Sequence, residues 1–258
     1  MNYRLIFIII VVFVVGCAKK NIQIQDDLSF RFEKGLKYFE KKKYTRSKAE
    51  FDYIIMVDPG SKLANDSEYY MAESMFELEE YKEASILFDK YIRFSTDLTK
   101  IEKARYKICR CAIELSNSYQ RDQSQTLSAI YKLQSFIEDF PTSKNVINAE
   151  DAITSLRYNL ARKEFESGRM YLKLEEYESA IIYFQLVLDE YYDTVIADEA
   201  RKGIVYAYLL NEKRDDATRY LNSQKQNFFS MDNFYEAKSF IDNSESGINF
   251  IQLYNIFK

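Results

Sequence analysis

The chain has 258 residues, with 36 Lys and Arg against 40 Asp and Glu, so its formal net charge is −4 at pH 7. This mildly acidic balance argues against nucleic acid as a partner. The complete absence of histidine excludes a Ser-His-Asp hydrolase and removes the commonest metal ligand. Because there is no glycine-rich phosphate loop either, the sequence predicts that the protein is not an enzyme and carries no metal or cofactor.

The first element in chain order is an apolar run, Leu5 to Val15, which follows a single positive charge and ends at Gly16 and Cys17. The run is too short to cross a bilayer, which needs about 20 apolar residues, and its layout is typical of a secretory signal peptide. The letters "VVGC" resemble a bacterial lipobox, in which the cysteine becomes the first mature residue and carries a diacylglyceryl thioether and an acyl chain. We therefore expect a signal peptide over residues 1–16, covalent lipid on Cys17 and a tether over residues 17–27. An ordinary signal peptide with an incidental cysteine is the alternative.

Beyond the tether, only two prolines and six glycines interrupt the sequence, which favours an all-α fold. Three stretches share a tyrosine, a small residue three positions later and an aromatic four positions beyond that: Tyr44, Ser47 and Phe51; Tyr81, Ala84 and Phe88; Tyr177, Ala180 and Phe184. A further stretch carries Thr126, Ala129 and Leu133 in these places, and a weaker one carries Ala217 and Leu221. A small residue also stands nine positions before each of the three tyrosines, at Gly35, Ala72 and Gly168.

This pattern resembles the tetratricopeptide repeat (TPR), a helix–turn–helix unit of 34 residues, and predicts an α-solenoid of about five helix pairs. We assign repeats 1 and 2 to residues 28–95, repeats 3 to 5 to residues 96–227, and a capping tail to residues 228–258. The stretch from Asn145 to Leu174 is predicted to form one unbroken helix. Helix starts carry candidate capping side chains, namely Ser61, Asp97, Asp122, Ser143 and Thr194. The remaining cysteines, Cys109 and Cys111, are predicted to be small buried residues rather than a redox pair.

Solenoids of this kind bind extended peptides or partner domains in a groove lined by the first helix of each pair. The repeat register places Phe32, Leu36, Phe39 and Glu40 on this groove in the first repeat, and Asp66, Tyr69, Glu73, Phe76 and Glu77 in the second. Tyr69 and Phe76 are the candidate anchors for an apolar or aromatic peptide side chain. The alternative for each of these residues is that it packs beneath the next repeat.

A lipobox followed by such repeats resembles the BamD family, the lipoproteins of the outer-membrane β-barrel assembly machinery. The central stretch "RDQSQTLSAIYKLQSFIEDFPTSK" is similar to that family's pattern of Asp-Gln, Thr, Ala-Ile, Phe-Ile and Pro-x-Ser, carried here by Asp122, Gln123, Thr126, Ala129, Ile130, Phe136, Ile137, Pro141 and Ser143. The family often has Tyr-Pro at the end of the fourth repeat, where this chain has Tyr191 and Tyr192. Other TPR lipoprotein adaptors of the cell envelope, such as a pilotin or a peptidoglycan-linked factor, are the alternative, and a cell-wall hydrolase with a helical domain is a more distant one.

The resemblance implies a scaffold that is anchored by its lipid in the outer membrane of a Gram-negative bacterium and faces the periplasm. It implies two partners. The C-terminal repeats would dock the barrel-forming central subunit of the assembly machinery, and the N-terminal repeats would receive the C-terminal segments of unfolded outer-membrane proteins, which usually end in an aromatic residue.

Overall fold

The computed structural model describes residues 27–244, and every regular element in that range is helical. Helix α1 occupies residues 27–40. It is followed by α2 (Tyr44–Val57), α3 (Lys62–Glu77), α4 (Tyr81–Phe94), α5 (Leu98–Glu114), α6 (Ser124–Asp139), α7 (Val146–Lys173), α8 (Tyr177–Glu190), α9 (Ile196–Leu210), α10 (Arg214–Gln224), a short 3-10 helix (Lys225–Asn227) and α11 (Met231–Asn243). The predicted all-α repeat fold and the single long helix from Asn145 to Leu174 are confirmed. The predicted signal peptide and Cys17 lie outside the described residues.

The residues of the repeated sequence pattern are the ones that pack in the core between helices. The small residues Ser47, Ala84, Ala129, Ala180 and Ala217 are each fully buried, as are Phe51, Phe88, Leu133 and Phe184 beside them. On one helix, positions four apart lie on the same face, so each small residue and its large neighbour face the core together. This is why the spacing recurs from repeat to repeat.

Glycine occupies the small position where an aromatic ring lies directly against the backbone of a helix. A Cβ atom built on Gly168 would lie 2.6 Å from the Phe184 ring, and one built on Gly203 would lie 2.8 Å from the same ring. The ring of Phe184 is therefore held between α7 and α9. Gly35 stands in the same relation to Phe51, at 2.8 Å.

Four of the helix pairs in the described range share one turn. A residue with positive φ stands two positions before the second helix of each pair: Lys42, Glu79, Glu175 and Glu212, with φ between 54° and 63°. In each turn the next residue donates its N–H to a carbonyl five positions back, as Glu176 does to Tyr171 at 3.0 Å and Lys213 does to Tyr208 at 2.9 Å. This is the left-handed helix ending that glycine usually forms.

The described residues form two compact units. The first contains residues 27–115 and Ser135–Val146, and the second contains Ser116–Gln134 and residues 147–244. In the first unit, the core joins Phe51 of α2 to Leu28 of α1, and Tyr69 of α3 to Phe88 of α4. The predicted segments 28–95 and 96–227 follow the repeats rather than these units and stay a prediction.

In the second unit, α9 is surrounded by its neighbours on nearly every side. Its apolar residues pack on α7 and α8 through Phe184, and on α10 and α11 through Leu221 and Phe234. Helix α11 lies within the segment predicted to cap the repeats and covers Val205 and Leu209 of α9. Residues 245–258 of that segment lie outside the described range.

A buried carboxylate holds α11 in place. Asp198 of α9 is 2% exposed and accepts hydrogen bonds from the backbone N–H groups of Phe229 and Ser230, at 3.1 and 3.0 Å. It also accepts from the side chains of Asn233 and Arg201, both at 3.0 Å. Asp198 thus satisfies free donors at the start of α11, where the helix dipole also favours a negative charge.

Two of the five predicted capping side chains are present at the N-cap of a helix. Ser61 accepts from the backbone of Ala64, and Asp97 accepts from Thr99 and Lys100. Thr194 was expected to cap α9, and that prediction is wrong. Helix α9 begins at Ile196 after Val195, and the Thr194 hydroxyl donates backward to the Tyr191 carbonyl at 2.8 Å.

None of the helices within residues 27–244 has an apolar stretch of the length that a membrane crossing requires.

Candidate binding surface

The predicted groove acids of the second repeat form ion pairs with α5. Asp66 lies 2.9 Å from Lys100, and Glu73 lies 2.8 Å from Lys107. The two acids are seven residues apart on α3, and the two lysines are seven residues apart on α5. Seven residues are close to two helical turns, so the two ion pairs lie one after the other along the contact between α3 and α5. Glu77 adds a longer contact to Lys107 at 3.9 Å.

Phe76 lies at the end of this row and faces two cations. The Lys107 ammonium is 4.2 Å from the centre of the Phe76 ring, and the Arg110 guanidinium is 5.4 Å from it. Tyr81 packs against the ring at 5.3 Å between centroids. Phe76 is half-buried, so part of the ring is open to solvent beside Arg110, whose side chain is 43% exposed. An aromatic face next to an accessible cation suits a ligand that combines an aromatic ring with a carboxylate.

Tyr69 is buried, with only 8% of its surface exposed. Its ring contacts Phe88 and Tyr91 of α4, at 5.8 and 5.2 Å between centroids. Burial, and then the neighbouring Glu73 carboxylate, raise the pKa of its hydroxyl above the ordinary value. Tyr69 therefore supports the surface from below, and Phe76 is the more accessible of the two predicted anchors.

The three apolar residues predicted for the groove in the first repeat are half-buried. Phe32 packs edge-on against Phe51 and Tyr70, at 5.6 and 5.8 Å between centroids. Phe39 does the same against Tyr44 and Tyr70, and Leu36 packs on the cluster around Phe51. Glu40 is exposed. Binding of a peptide by any of these residues stays a prediction.

The residues that carried the central family pattern organise a loop. Asp122 accepts from the Ser124 backbone at 3.0 Å and from its hydroxyl, which lowers the pKa of the carboxylate. Gln123 donates to the carbonyls of Ser118 and Arg121 at 2.8 and 2.9 Å and accepts from Thr126 at 2.8 Å. The Asp-Gln-x-x-Thr pattern therefore stabilises the loop before α6 and the start of that helix.

Cys109 and Cys111 are both buried and are not joined in a disulfide, as predicted. Burial raises the pKa of Cys111 to about 12, which keeps the thiol protonated and unreactive at neutral pH. Across residues 27–244, no cluster of three or more His, Cys, Asp or Glu is placed to hold a metal ion.

Comparison with known families identifies the family of this chain. A family model described as "Outer membrane lipoprotein" (YfiO) matches residues 25–223. The chain belongs to this family. The resemblance drawn from the lipobox, the repeats and the central stretch is thereby confirmed.

Individual relatives support the same family assignment. The outer membrane protein assembly factor BamD of Rickettsia prowazekii (strain Madrid E) is 28% identical over 215 residues, which are 83% of this chain and 86% of that protein. The factor of the same name from Caulobacter vibrioides (strain ATCC 19089 / CIP 103742 / CB 15) is 29% identical over 140 residues, 54% of this chain and 46% of that protein. Among solved structures, the TPR domain of P58(IPK) is similar, with a TM-score of 0.46 and 15% identity over 89% of this chain and 59% of that one.

Proposed function

We propose that this chain is a scaffold subunit of the outer-membrane protein assembly machinery. It is anchored in the outer membrane by lipid on Cys17 and faces the periplasm. Its C-terminal repeats, within residues 96–227, dock the barrel-forming central subunit. Its N-terminal repeats, within residues 28–95, receive the C-terminal segments of unfolded outer-membrane proteins. No catalytic step is assigned to it.

The observation that carries this proposal is the family match over residues 25–223, together with relatives that are named as outer membrane protein assembly factors. The 28% identical relative aligns over most of its own length, so the whole repeat array is shared and not one repeat alone. Repeat arrays of this kind act by presenting side chains to partners. Function is thus expected at surfaces and not in an enclosed reaction site.

The surface around Phe76 supports the peptide-receiving role. A C-terminal segment that ends in an aromatic residue offers one ring and one carboxylate next to each other. The ring packs on Phe76, and the carboxylate pairs with Arg110, whose existing partner Glu114 is 3.9 Å away and exposed. Lys107 lies nearer the Phe76 ring but already pairs with Glu73. Arg110 is therefore the cation that is more available to a ligand.

Partner docking is tested by purification of the full chain from detergent-solubilised envelopes through an affinity tag on its C-terminus. We expect mass spectrometry to identify a barrel-forming protein with several periplasmic repeats in the eluate. A Cys17→Ser variant controls for the anchor and is expected to leave the outer-membrane fraction. Recovery of a secretin in place of the barrel subunit would overturn the proposed docking role.

Peptide reception is tested by fluorescence titration of the full chain in detergent with a labelled peptide that ends in phenylalanine. Arg110→Gln is expected to weaken binding about threefold to tenfold, because it removes one charge-assisted hydrogen bond. Phe76→Ala is expected to weaken it by a similar factor through the lost ring contact. The peptide with an amidated end should bind the unmodified chain as weakly as the free acid binds Arg110→Gln.

Arg93→Gln is the matched control for Arg110→Gln. Each arginine pairs with an acid four residues away on its own helix, Arg93 with Asp89 and Arg110 with Glu114, and the two side chains are 71% and 43% exposed. Equal losses in the two variants would mean that net charge, and not this surface, governs binding. That result would overturn the assignment of the surface.

A further inference from the structure

The second unit contains a cavity of about 380 Å³. It opens between α8, the start of α9 and the segment that joins α10 to α11. Its volume falls at the lower end of the range for small-molecule and side-chain pockets, about 300–1,000 Å³. Its lining includes Arg201, two aromatic residues, Tyr192 and Phe229, and three residues with side-chain amides, Gln185, Gln224 and Asn227.

Arg201 is an unusual residue for a repeat core because it is charged and only 5% exposed. One of its terminal nitrogens donates to Asp198 at 3.0 Å. Its Nε is buried and has no hydrogen-bond partner among residues 27–244. A buried N–H without an acceptor costs about 1–3 kcal/mol, and more on a charged group. This N–H is therefore a buried donor that an added acceptor would satisfy.

Asp198 has little capacity left for this donor. Its two oxygens already accept from the Phe229 and Ser230 backbone and from the Asn233 side chain, in addition to the bond from Arg201. Three of these four bonds hold the start of α11. The carboxylate thus mainly holds the start of α11, and the Nε–H of Arg201, a residue that lines the cavity, is left without an acceptor.

The rim of the cavity is apolar and accessible. Tyr192 is 63% exposed and Phe229 is 62% exposed. Phe229 also lies 6.0 Å from the Arg201 guanidinium. A buried cation with accessible aromatic rings at the rim accepts a carboxylate with an apolar group beside it, since the rings exclude water from the charge pair.

We propose that this cavity is a binding site for the carboxylate of a peptide segment, with Arg201 as the group that pairs with the carboxylate and Tyr192 and Phe229 as the walls. The carboxylate comes either from a Glu side chain within a segment or from a chain end. The site lies in the second unit and shares no residue with the Phe76 surface. The proposal does not depend on the proposed scaffold function.

The test is a titration of the full chain in detergent, followed by NMR of the arginine Nε–H signals. The signal of Arg201 is assigned by its loss in Arg201→Lys. Two amidated pentapeptides serve as probes, Gly-Phe-Glu-Phe-Gly and its Gln counterpart, together with Gly-Gly-Phe as free acid and as amide. We expect the Arg201 signal to shift with at least one carboxylate probe and with neither neutral counterpart. Whichever carboxylate probe binds more tightly identifies the source.

Gln185→Glu tests the site without disturbing Arg201. Gln185 is exposed at the rim, so the change adds a negative charge where the ligand enters and leaves the core intact. We expect at least about a tenfold loss of carboxylate binding. Arg219→Gln, an exposed arginine of α10 that pairs with Asp216, is the matched charge control and should bind normally. Absence of any shift at Arg201 with either carboxylate probe, or equal binding by Gln185→Glu, would overturn the proposal.

Discussion

At the scale of single residues, Phe184 shows why the repeat pattern pairs aromatics with very small residues. Its ring is fully buried and lies against glycine backbone on both sides, at Gly168 and Gly203. Either helix would have to move outward to accept a methyl group there. The spacing of Gly168 and Phe184 was visible in the sequence, but Gly203 was not assigned to the same contact. Nothing in the repeat register links it to a ring on the preceding helix.

Gly168→Ala is expected to destabilise the chain. A Cβ atom would lie 2.6 Å from the Phe184 ring, and overpacking of this kind costs about 1–3 kcal/mol. The higher helix propensity of alanine returns up to about 1 kcal/mol, so we expect a net loss of about 0.5–2 kcal/mol. Chemical unfolding followed by circular dichroism measures it. Ser155→Ala, on the exposed face of the same helix, should show no loss.

The double variant Gly168→Ala/Phe184→Leu tests the cause of that loss. Phe184→Leu alone leaves a cavity and is destabilising, but it also makes room for the new methyl group. We therefore expect the double variant to lose less stability than the sum of the two single changes. Simple additivity would show that the methyl group does not meet the ring.

At the scale of helices and turns, the most regular feature is one that the sequence pattern did not indicate. Lys42, Glu79, Glu175 and Glu212 adopt positive φ in four equivalent turns. Glycine and asparagine are the residues that signal this conformation, and Lys and Glu give no such signal. The helices themselves were predictable because their apolar spacing is set by the core. The turns were not, because the strain in them is imposed by the packing of both flanking helices.

Glu175→Gly is expected to stabilise the chain by about 0.5–1 kcal/mol. The change relieves the left-handed strain and removes a negative charge from the C-terminal end of α7, where the helix dipole disfavours it. The larger entropy of glycine in the unfolded chain offsets part of the gain. Chemical unfolding of the two proteins side by side gives the difference.

Glu176→Gly is the control for this turn. Glu176 is the next residue, has a negative φ of −90° and precedes the N-terminal end of α8. Glycine there gives no strain relief and removes a favourable charge, so stability should fall. If both glycine variants lowered stability by the same amount, the positive φ of Glu175 would not be a source of strain.

At the scale of the whole molecule, the described helices pack mainly on their neighbours in sequence. In the first unit, α2 packs on α3, α3 on α4, and α4 on α5; in the second, α8, α10 and α11 pack on α9. The stability of such an array is approximately a sum of nearest-neighbour terms. The array, its family and the burial of its small residues could be predicted from the sequence because they depend on spacing alone.

The candidate sites could be predicted only in part. The register placed Phe76 and its acidic neighbours on one surface, but it could not tell that Tyr69 lies under that surface, because both aromatics occupy one helix with similar spacing. Arg201 and Asp198 gave no signal. An acid three residues before an arginine usually marks a solvent-exposed ion pair on a helix, and only the packing of α11 over α9 buries this one.

Asp198→Asn tests how far along the array a local loss of stability extends. The variant removes the negative charge that holds the start of α11, and hydrogen bonds to a charged group contribute about 1.5–3 kcal/mol each. Because stability depends on nearest neighbours, we expect faster amide hydrogen exchange in α9, α10 and α11 and no change in α3 and α4. Hydrogen–deuterium exchange with mass spectrometry measures each helix separately.

Asp216→Asn is the matched control, since Asp216 is an accessible acid of α10 that also pairs with an arginine three residues later. It should leave exchange unchanged in every helix, because an exposed pair contributes at most about 1 kcal/mol. Equal acceleration in α3 and α11 of the Asp198→Asn variant would mean that the chain opens as one cooperative whole. Unchanged exchange in α11 would mean that apolar packing through Phe234 and Ile241 holds that helix without the carboxylate. The control therefore separates a change of charge from the loss of a buried anchor, and the exchange pattern separates a local anchor from a global one.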